Sequence, residues 1–297
     1  MTGEGIRIPM DTAQTSKSAS RERRIGAILI DSGELTLENA ERILHLQKEE
    51  GLRFGDAAVK LGLLSREDIQ FALARQFDYP YLMRGDGAVS DELIAAYQPF
   101  SPQVEALRAL RSQLMLRWFT GDDTQKALAI LSPGRKAGRS YLAANLAVVF
   151  SQLGEHTLLV DANMRNPRQH KLFNLDNGTG LSSVLSQRGE GECIQRIHSF
   201  IDLSVLPSGP VPPNPQELLG RPAFDKLFGD ITREFDVVII DTPAATQYAD
   251  AQIIAMRARG ALVVARKHET LLKDLSGLNY NLKNLGIQVI GSVLSEF

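Results

Sequence analysis

Residues 128–165 hold the pattern that most restricts the fold of this chain. A short apolar run at 128–131 leads into a glycine-containing turn at 132–140, and a helical pattern follows. A second apolar run at 158–160 then ends at Asp161. A strand, a glycine-rich loop, a helix and a second strand in this order are typical of a phosphate-binding loop in an α/β domain.

The turn departs from the strict phosphate-loop pattern G-x-x-x-x-G-K-[ST] at two positions. Pro133 stands in place of the first glycine, and Arg139 stands in place of the lysine. A glycine-rich turn without a ligand is the alternative interpretation, but a helix N-terminus beside glycines favours phosphate binding. The residues that we expect to contact a nucleotide are Gly134, Lys136, Gly138, Arg139, Ser140 and Tyr141.

Two apolar runs end in a carboxylate. Asp161 follows residues 158–160, and Asp241 follows residues 237–240 and precedes Thr242-Pro243. In α/β sheets, ligands bind at the carboxyl ends of the strands, so both carboxylates are expected beside the loop. A carboxylate there can hold Mg²⁺ through water or accept a proton from an attacking hydroxyl. The predicted metal-binding residues are Ser140, Asp161, Asn163 and Asp241.

Apolar segments alternate with helical segments along the second two thirds of the chain. Strands are predicted at 126–131, 156–160, 203–206, 237–240, 261–265 and 287–293, and helices at 140–153, 214–235 and 269–285. Nearly continuous Val, Ile and Leu runs indicate parallel strands that are buried on both faces. The predicted fold class is α/β, a mostly parallel sheet covered by helices on both faces, preceded by a small all-helical repeat module.

The N-terminal region contains an internal repeat. Seven residue identities recur at an offset of 29 positions, in two copies of 24 residues that are separated by five residues. Its most distinctive members are Arg24, Gly26, Gly33 and Gln47, which recur as Arg53, Gly55, Gly62 and Gln76. A repeat of this kind predicts a duplicated unit, here a short helix, a glycine turn and a helix capped by Thr36 or Ser65.

A helix is predicted at 104–119, directly before the first strand. One side carries an apolar stripe, and the other carries Glu105, Arg108 and Arg111 at a spacing of three. Charged residues at this spacing drift round one flank of a helix. A solvated flank with weak ion pairs and a subunit interface are both open interpretations.

These patterns give four regions. They are a disordered tail at 1–20, a helical repeat module at 21–82, a linker at 83–103 and a phosphate-loop domain at 104–297. The formal net charge of −2 implies no general affinity for nucleic acid, and no apolar stretch is long enough to span a membrane. The single cysteine, Cys193, suits a reducing cytoplasm.

The domain from Ser101 onwards resembles the bacterial tyrosine kinases, a branch of the deviant-Walker phosphate-loop ATPases. Three segments carry the resemblance: S-P-G-R-K-A-G-R-S, L-L-V-D-A-N-M-R-N-P and V-V-I-I-D-T-P. Together with the N-terminal module, they resemble the chain-length-determinant kinases of exopolysaccharide synthesis. The resemblance implies a cytoplasmic, ATP- and Mg²⁺-dependent tyrosine kinase that is held at the inner membrane by a membrane-embedded polysaccharide co-polymerase.

The same resemblance implies roles for individual residues. Arg139 and Ser140 would contact the phosphates and Mg²⁺, Asp161 would be the base, and Asp241 would hold the metal through water. Arg165 would contact phosphate or a neighbouring subunit. The E-x-x-R-x-x-R segment formed by Glu105, Arg108 and Arg111 would join subunits into a homo-oligomeric ring.

The repeat module resembles the N-terminal domain of type II secretion and pilus-assembly ATPases, one branch of which binds cyclic di-GMP. Duplicated contacts suit a ligand with two equivalent halves, and arginine can pair with phosphate or stack on guanine. The predicted ligand residues are Arg24, Gly26, Gly33, Gln47, Arg53, Gly55, Gly62 and Gln76. A helical docking module without a nucleotide is the alternative.

Three functions follow from these patterns. The first is an ATP-dependent protein tyrosine kinase, and the second is a non-catalytic switch that responds to ATP and cyclic di-GMP. The second is open because Arg139 replaces lysine, Asn163 replaces an aspartate, and the C-terminus has no tyrosine cluster. The third, a partitioning ATPase, is disfavoured because Gly134 stands where that group has a lysine.

Overall fold

The computed structural model describes residues 25–76, 82, 87–188 and 193–296. The chain forms two compact units, Met1–Pro80 and Tyr81–Phe297. The predicted disordered tail at 1–20 and the repeat residue Arg24 lie outside the described residues. In the part of the chain that the structure describes, no helix is long and apolar enough to cross a membrane.

The first unit is helical and repeats one local structure twice. Its elements are α1 (Ile25–Asp31), α2 (Leu37–Glu50), α3 (Phe54–Lys60) and α4 (Arg66–Gln76). Thr36 caps α2 by accepting from Asn39 N–H at 3.3 Å, and Ser65 and Asp68 exchange two hydrogen bonds at the start of α4. The predicted caps are therefore present, and the helices of the two copies share one small apolar core.

The second unit contains the sheet. Its elements in chain order are α5 (Ile94–Tyr97), α6 (Pro102–Arg117), β1 (Ala127–Leu131), α7 (Arg139–Ser151), β2 (Thr157–Asp161), α8 (Gln169–Leu172), α9 (Leu181–Leu185), β3 (Gln195–Arg196), β4 (Leu203–Leu206), α10 (Pro215–Leu219), α11 (Pro222–Glu234), β5 (Val237–Asp241), α12 (Asp250–Ala258), β6 (Gly260–Arg266), α13 (Leu272–Asn284) and β7 (Gln288–Ser295). The six predicted strands are all present, and β3, α8, α9 and α12 are additional.

The strands form one sheet in the order β3-β4-β2-β5-β1-β6-β7. Every neighbouring pair is parallel except β3 and β4, which are antiparallel. In the register, Asp161 of β2 is the partner of Asp241 of β5, which also pairs with Ile130 of β1. The two predicted carboxylates therefore lie side by side at the carboxyl edge of the sheet.

Alternation along each central strand divides the apolar residues between two cores. Leu128 and Ile130 of β1 pack in one core with α6 and α7, whereas Ala129 and Leu131 pack in the other with α10 to α13. Because both faces are covered, the central strands are apolar throughout and read as uninterrupted runs in the sequence. This confirms the predicted fold class.

Part of the predicted linker at 83–103 is packed into the second unit. Leu93, Ala95 and Ala96 are fully buried in the second unit. Ala95 N–H donates to Asn145 Oδ1 of α7 at 3.0 Å, and Gln152 of α7 donates to the Ala95 carbonyl at 3.0 Å. A short helix is predicted at 90–96 and is found as α5, but four residues give no helical period from which its packing against α7 could be predicted.

The C-terminal end of α6 is joined to the sheet by the chain's single tryptophan. Trp118 is only 2% exposed, and its indole N–H donates to the carbonyl of Ala127 at 2.9 Å. A side chain at Gly260, the first residue of β6, would overlap the indole ring. The glycine therefore lets the backbone of β6 pass directly beneath Trp118.

Candidate active site

The loop between β1 and α7 has the backbone of an anion-binding site. Gly138, the N-cap of α7, has a φ of 92°, and Lys136 has a φ of 56°. Within the described chain, no protein acceptor is found for the backbone N–H groups of residues 135–138. Residues 135–140 line a cavity of about 490 Å³. Unpaired N–H groups at a helix N-terminus are suited to phosphate oxygens.

The guanidinium of Arg139 is held by acceptors of the protein itself, whereas the phosphate-loop lysine was expected to reach the phosphates. Its Nε donates to the carbonyl of Thr242 at 2.9 Å, and its Nη1 donates to the carbonyl of Gly134 at 2.7 Å and to Ser132 Oγ. The side chain is 8% exposed, and burial lowers its pKa while Asp241 raises it. Arg139 therefore joins the loop to the end of β5 from inside.

Asp241 is completely buried next to Ser140 and Gln169. Its Oδ2 accepts from Gln169 Nε2 at 2.8 Å, and Ser140 donates a side-chain hydrogen bond to the same carboxylate. Burial raises the pKa of Asp241, and these two hydrogen bonds act against that shift. Its Oδ1 is buried without a hydrogen-bond partner. An unpaired carboxylate oxygen beside a serine hydroxyl fits a Mg²⁺ site that takes few protein ligands.

Asp161 holds the loop that follows β2. Its Oδ1 accepts from Asn163 N–H at 3.2 Å, and its Oδ2 accepts from the N–H groups of Arg168 and Gln169, both at 2.9 Å. The side chain is fully buried. Burial, and then the neighbouring charge of Asp241, raise the pKa of Asp161 to about 7 in spite of these three hydrogen bonds.

Asn163 lines the cavity but already has a structural hydrogen bond. Its Oδ1 accepts from Asn166 N–H at 3.3 Å. In the described residues, no group of three or more His, Cys, Asp or Glu side chains is placed so that it could hold a metal ion. A metal here would therefore depend on Ser140 and Asp241 for most of its protein ligands, with phosphate and water supplying the rest.

Arg165 also lines the cavity, and it is fixed by two neighbours. Its guanidinium donates to both carboxylate oxygens of Asp250, at 2.8 and 3.2 Å, and lies 3.7 Å from the ring centre of Tyr248. Side-chain hydrogen bonding to Asp250 raises the pKa of Arg165. The bidentate pair orients one face of the guanidinium and does not remove its charge.

Tyr141 belongs to a second cavity beside the phosphate loop, with a volume of about 880 Å³. Residues of α6, α7, β6 and β7 line it, and it shares Lys136, Gly138 and Arg168 with the smaller cavity. Burial, and then Glu92, raise the pKa of Tyr141. The apolar part of this cavity, with Leu107, Leu142 and Val264, offers surface for a flat aromatic group.

The predicted interface residues of α6 have different surroundings. Glu105 is exposed and pairs with Arg108 at 3.1 Å. Arg111 is half-buried and donates to the carbonyl of Val149 in α7 at 2.8 Å. Arg111 therefore contributes to packing within the unit, in addition to any role between subunits.

The glycines predicted to admit a cyclic dinucleotide have structural reasons of their own. Gly33 and Gly62 have φ values of 79° and 65° in the turns that follow α1 and α3. A side chain at Gly26 would meet the Phe54 ring at 3.2 Å, and one at Gly55 would meet Ile69 at 2.8 Å. The groups that lie close to these two glycines are therefore apolar side chains of the module itself.

The other predicted ligand residues of the module face more open surroundings. Arg53 is exposed at the N-cap of α3, where its side chain makes no cap hydrogen bond. Gln47 and Gln76 lie near the C-terminal ends of α2 and α4, and both are half-buried.

Sequence reasoning missed three residues of the site. Gln169 is fully buried and donates to both the Ser140 carbonyl, at 3.1 Å, and Asp241, while Asp250 and Tyr248 fix Arg165. Gln169 follows the β2 motif with no periodic signal. Asp250 lies nine positions after Asp241, a spacing that carries meaning only once the strand and the following loop are folded.

No protein-family model matches the sequence. The chain is 34% identical over 203 residues to the tyrosine-protein kinase YwqD of Bacillus subtilis, covering 68% of this chain and 85% of YwqD. It is 33% identical over 205 residues to the tyrosine-protein kinase Wzc of Salmonella typhimurium, covering 69% of this chain and 28% of Wzc. The solved kinase domain of the Escherichia coli tyrosine kinase ETK superposes with a TM-score of 0.65 at 30% identity, covering 69% of this chain and 79% of that domain.

Proposed function

This chain belongs to the bacterial tyrosine-protein kinases, and we propose that it transfers the γ-phosphoryl group of ATP to tyrosine hydroxyls of proteins in exopolysaccharide synthesis. Unpaired backbone N–H groups at residues 135–138 lie in the wall of a cavity beside two buried carboxylates, and this pairing supports the transfer site most strongly. Phosphoryl transfer depends on positioning and on compensation of charge, which such a cavity provides.

The nucleotide would be held by main chain and by exposed cations. The N–H groups of residues 135–138 and the N-terminus of α7 suit the phosphates, and Lys136 adds a charge at the cavity wall. The apolar part of the 880 Å³ cavity next to Tyr141 suits the base. Arg139 has a positioning role, since its three hydrogen bonds hold the phosphate loop against the end of β5.

Mg²⁺ would be held by Ser140 and by Asp241, directly or through water, with Asn163 at the edge of the site. A bound Mg²⁺ neutralises charge on the phosphates as it develops. Gln169 keeps the Asp241 carboxylate turned towards Ser140 through its 2.8 Å hydrogen bond.

Asp161 is our candidate for the group that accepts the tyrosine proton. Its pKa, raised to about 7 by burial and by Asp241, suits a base that works near neutral pH. The same carboxylate anchors three N–H groups of the following loop. Proton acceptance is therefore coupled to the geometry of residues 163–169.

The cellular setting follows from the family resemblance. We propose a cytoplasmic protein that is peripheral to the inner membrane through the cytoplasmic segment of a polysaccharide co-polymerase. We also propose a homo-oligomer joined through Glu105 and Arg108, with Arg111 bracing α6 against α7. Light scattering of the full chain and of Glu105→Lys tests this assembly, and identical masses for the two proteins would contradict it.

The test of the kinase is incubation of the full chain with labelled ATP, Mg²⁺ and a tyrosine-bearing segment of such a partner. We expect labelled phosphotyrosine that is lost in Asp161→Asn, with Asp225→Asn on α11 as the matched control. Tight ATP binding without phosphotyrosine on any protein would instead favour the non-catalytic switch.

Cyclic di-GMP is the second candidate ligand, for the repeat module. Each copy has a seven-residue helix, a glycine turn and a longer helix, a duplication that suits a ligand with two equal halves. Calorimetry of the full chain should show heat at tens of micromolar that Arg53→Ala abolishes. Arg42→Ala, an exposed arginine of α2, is the control. Absence of heat would leave the module as a protein-docking element.

A further inference from the structure

A group of basic side chains lies beside the active-site cavity, on the loop that follows β2 and the start of α8. These side chains border a separate concave region of about 560 Å³. The lining residues are Arg165, Asn166, Pro167, Arg168, His170, Lys171 and Asn177, which we call the flank surface. None of the residues that line it is acidic. Since the chain as a whole carries a net charge of −2, this positive region is local.

The flank surface is continuous with the active site. Arg165, Asn166 and Arg168 line both the 560 Å³ region and the 490 Å³ cavity of the phosphate loop. The carboxylate of Asp161 accepts from the N–H groups of Arg168 and Gln169, so the loop is fixed to the site of transfer. An extended molecule that leaves the cavity over this shared wall must cross the flank surface.

The charges of the flank surface are not equally available. Arg165 is paired with Asp250, and Arg168 is paired with Glu92. Lys171 is exposed and forms no ion pair among those of the described chain. His170 keeps a buried Nδ1 without a hydrogen-bond partner, and burial and then Lys171 lower its pKa, which disfavours its charged form. Lys171 therefore carries the uncompensated charge.

We propose that the flank surface binds acidic residues that adjoin the acceptor tyrosine of a protein substrate. This inference rests on the proposed kinase function, since it assigns a substrate class to the same site. When a tyrosine lies in the cavity, its neighbouring residues lie over the shared wall, where Lys171 attracts carboxylates and His170 offers a polar contact. Long-range attraction of this kind chooses among partners and raises the rate of encounter.

Two measurements on the full chain test this assignment. Fluorescence anisotropy compares a labelled peptide with one tyrosine between glutamates and its match with glutamines. Initial rates with labelled ATP compare the same two peptides as substrates. We expect the acidic peptide to bind about tenfold more tightly and to have the lower KM. Lys171→Glu should remove this preference without changing the KM for ATP. Lys226→Glu, an exposed lysine of α11, makes the same charge change elsewhere and should retain it.

The outcomes separate the two hypotheses. Selective, Lys171-dependent binding of the acidic peptide without phosphotyrosine on any substrate would uphold the flank surface and contradict the kinase function. Equal binding and equal KM for the two peptides, with transfer intact, would overturn the flank surface alone. Equal loss in Lys171→Glu and Lys226→Glu would also overturn it, and so would complete displacement of the peptide by millimolar inorganic phosphate, which indicates a general anion site.

Discussion

The loops after β1 and β2 lie on either side of β5 at one edge of the sheet, and groups of opposite charge hold them from inside. In the first loop, the cation Arg139 donates to a hydroxyl and two carbonyl oxygens. In the second, the anion Asp161 accepts from three backbone N–H groups. Both anchors are buried, and both fix a segment that lines the active-site cavity.

The sign of the buried anchor determines what each loop offers to a ligand. Arg139 uses oxygen atoms of its loop, so the N–H groups of residues 135–138 remain for an anion. Asp161 uses N–H groups of its loop, so side chains, chiefly the exposed Lys171, are what an anion meets there. One loop therefore suits a nucleotide through its main chain, and the other suits a substrate through its side chains.

Removing the anionic anchor should have the largest effect on this pair of loops. In Asp161→Asn we expect the rate of phosphotyrosine formation to fall by about 10²- to 10⁴-fold, because the base is lost and an amide cannot accept all three N–H groups. Initial rates with labelled ATP measure this. Activity close to that of Asp225→Asn would show that Asp161 is dispensable.

The pH should change both the rate of transfer and the stability through Asp161. Because burial and Asp241 raise the pKa of Asp161 to about 7, the rate should fall about tenfold per pH unit below 7. Between pH 3.8, which is its ordinary pKa, and about pH 7, the Asp161 carboxyl is protonated in the folded protein and ionised in the unfolded protein. Its contribution to the free energy of unfolding is therefore present below pH 4 and is lost as the pH rises to 7.

Urea unfolding at pH 5 and pH 7.5 measures this difference. The wild type should lose more stability than Asp161→Asn between these two values. Parallel behaviour of the two proteins would mean that the Asp161 carboxyl is ionised throughout.

Gln169 joins the two loops, and its loss should weaken the metal site. In Gln169→Leu we expect the Mg²⁺ concentration for half-maximal rate to rise about tenfold, since Asp241 loses the partner that orients it. The kcat at saturating Mg²⁺ should change less. Gln195→Leu on β3 is the matched control, and equal Mg²⁺ dependence in the two variants would refute a positioning role.

Replacing Arg139 should have a smaller effect, which lowers the stability of the fold but strengthens ATP binding. In Arg139→Lys a single ammonium replaces a guanidinium that serves three acceptors, so we expect the free energy of unfolding to fall by about 1–2 kcal/mol. A lysine can turn towards phosphates, so ATP should bind about threefold more tightly. Arg139→Met should lose stability without that gain. Unchanged ATP affinity in Arg139→Lys, measured by calorimetry, would show that Arg139 does not limit binding.

The exposed ion pair between Glu92 and Arg168 should contribute least to stability. Glu92→Gln removes the partner of Arg168, and the two side chains are 49% and 43% exposed. We expect less than about 1 kcal/mol of change in the free energy of unfolding, because solvent screens such pairs. Thermal unfolding measures this change. A larger loss of stability would mean that the loop after β2 depends on the Glu92–Arg168 ion pair as well as on Asp161.

The sequence predicted the parts of the site that depend on strand position. The six strands follow from uninterrupted apolar runs, and Asp161 and Asp241 follow from the rule that parallel strands end at one edge. Helix caps at Thr36 and Ser65 were predictable because capping is local in sequence.

The direction of side chains was not predictable. Arg139 turns inward because Thr242, 103 positions away, presents a carbonyl oxygen there. Gln169 becomes a site residue only when α8 lies beside β5. Gly26 and Gly55 resembled ligand-contacting glycines, but their neighbours are Phe54 and Ile69. In each case the deciding contact is distant in sequence.

The burial of Trp118 gives the protein a built-in optical signal. It is the chain's single tryptophan, and it lies in the second unit, between α6 and the backbone of β6. Emission on selective excitation of the indole therefore follows the unfolding of the nucleotide-binding unit alone. Far-ultraviolet circular dichroism follows both units, so the difference between the two curves isolates the melting of the helical repeats in the intact chain.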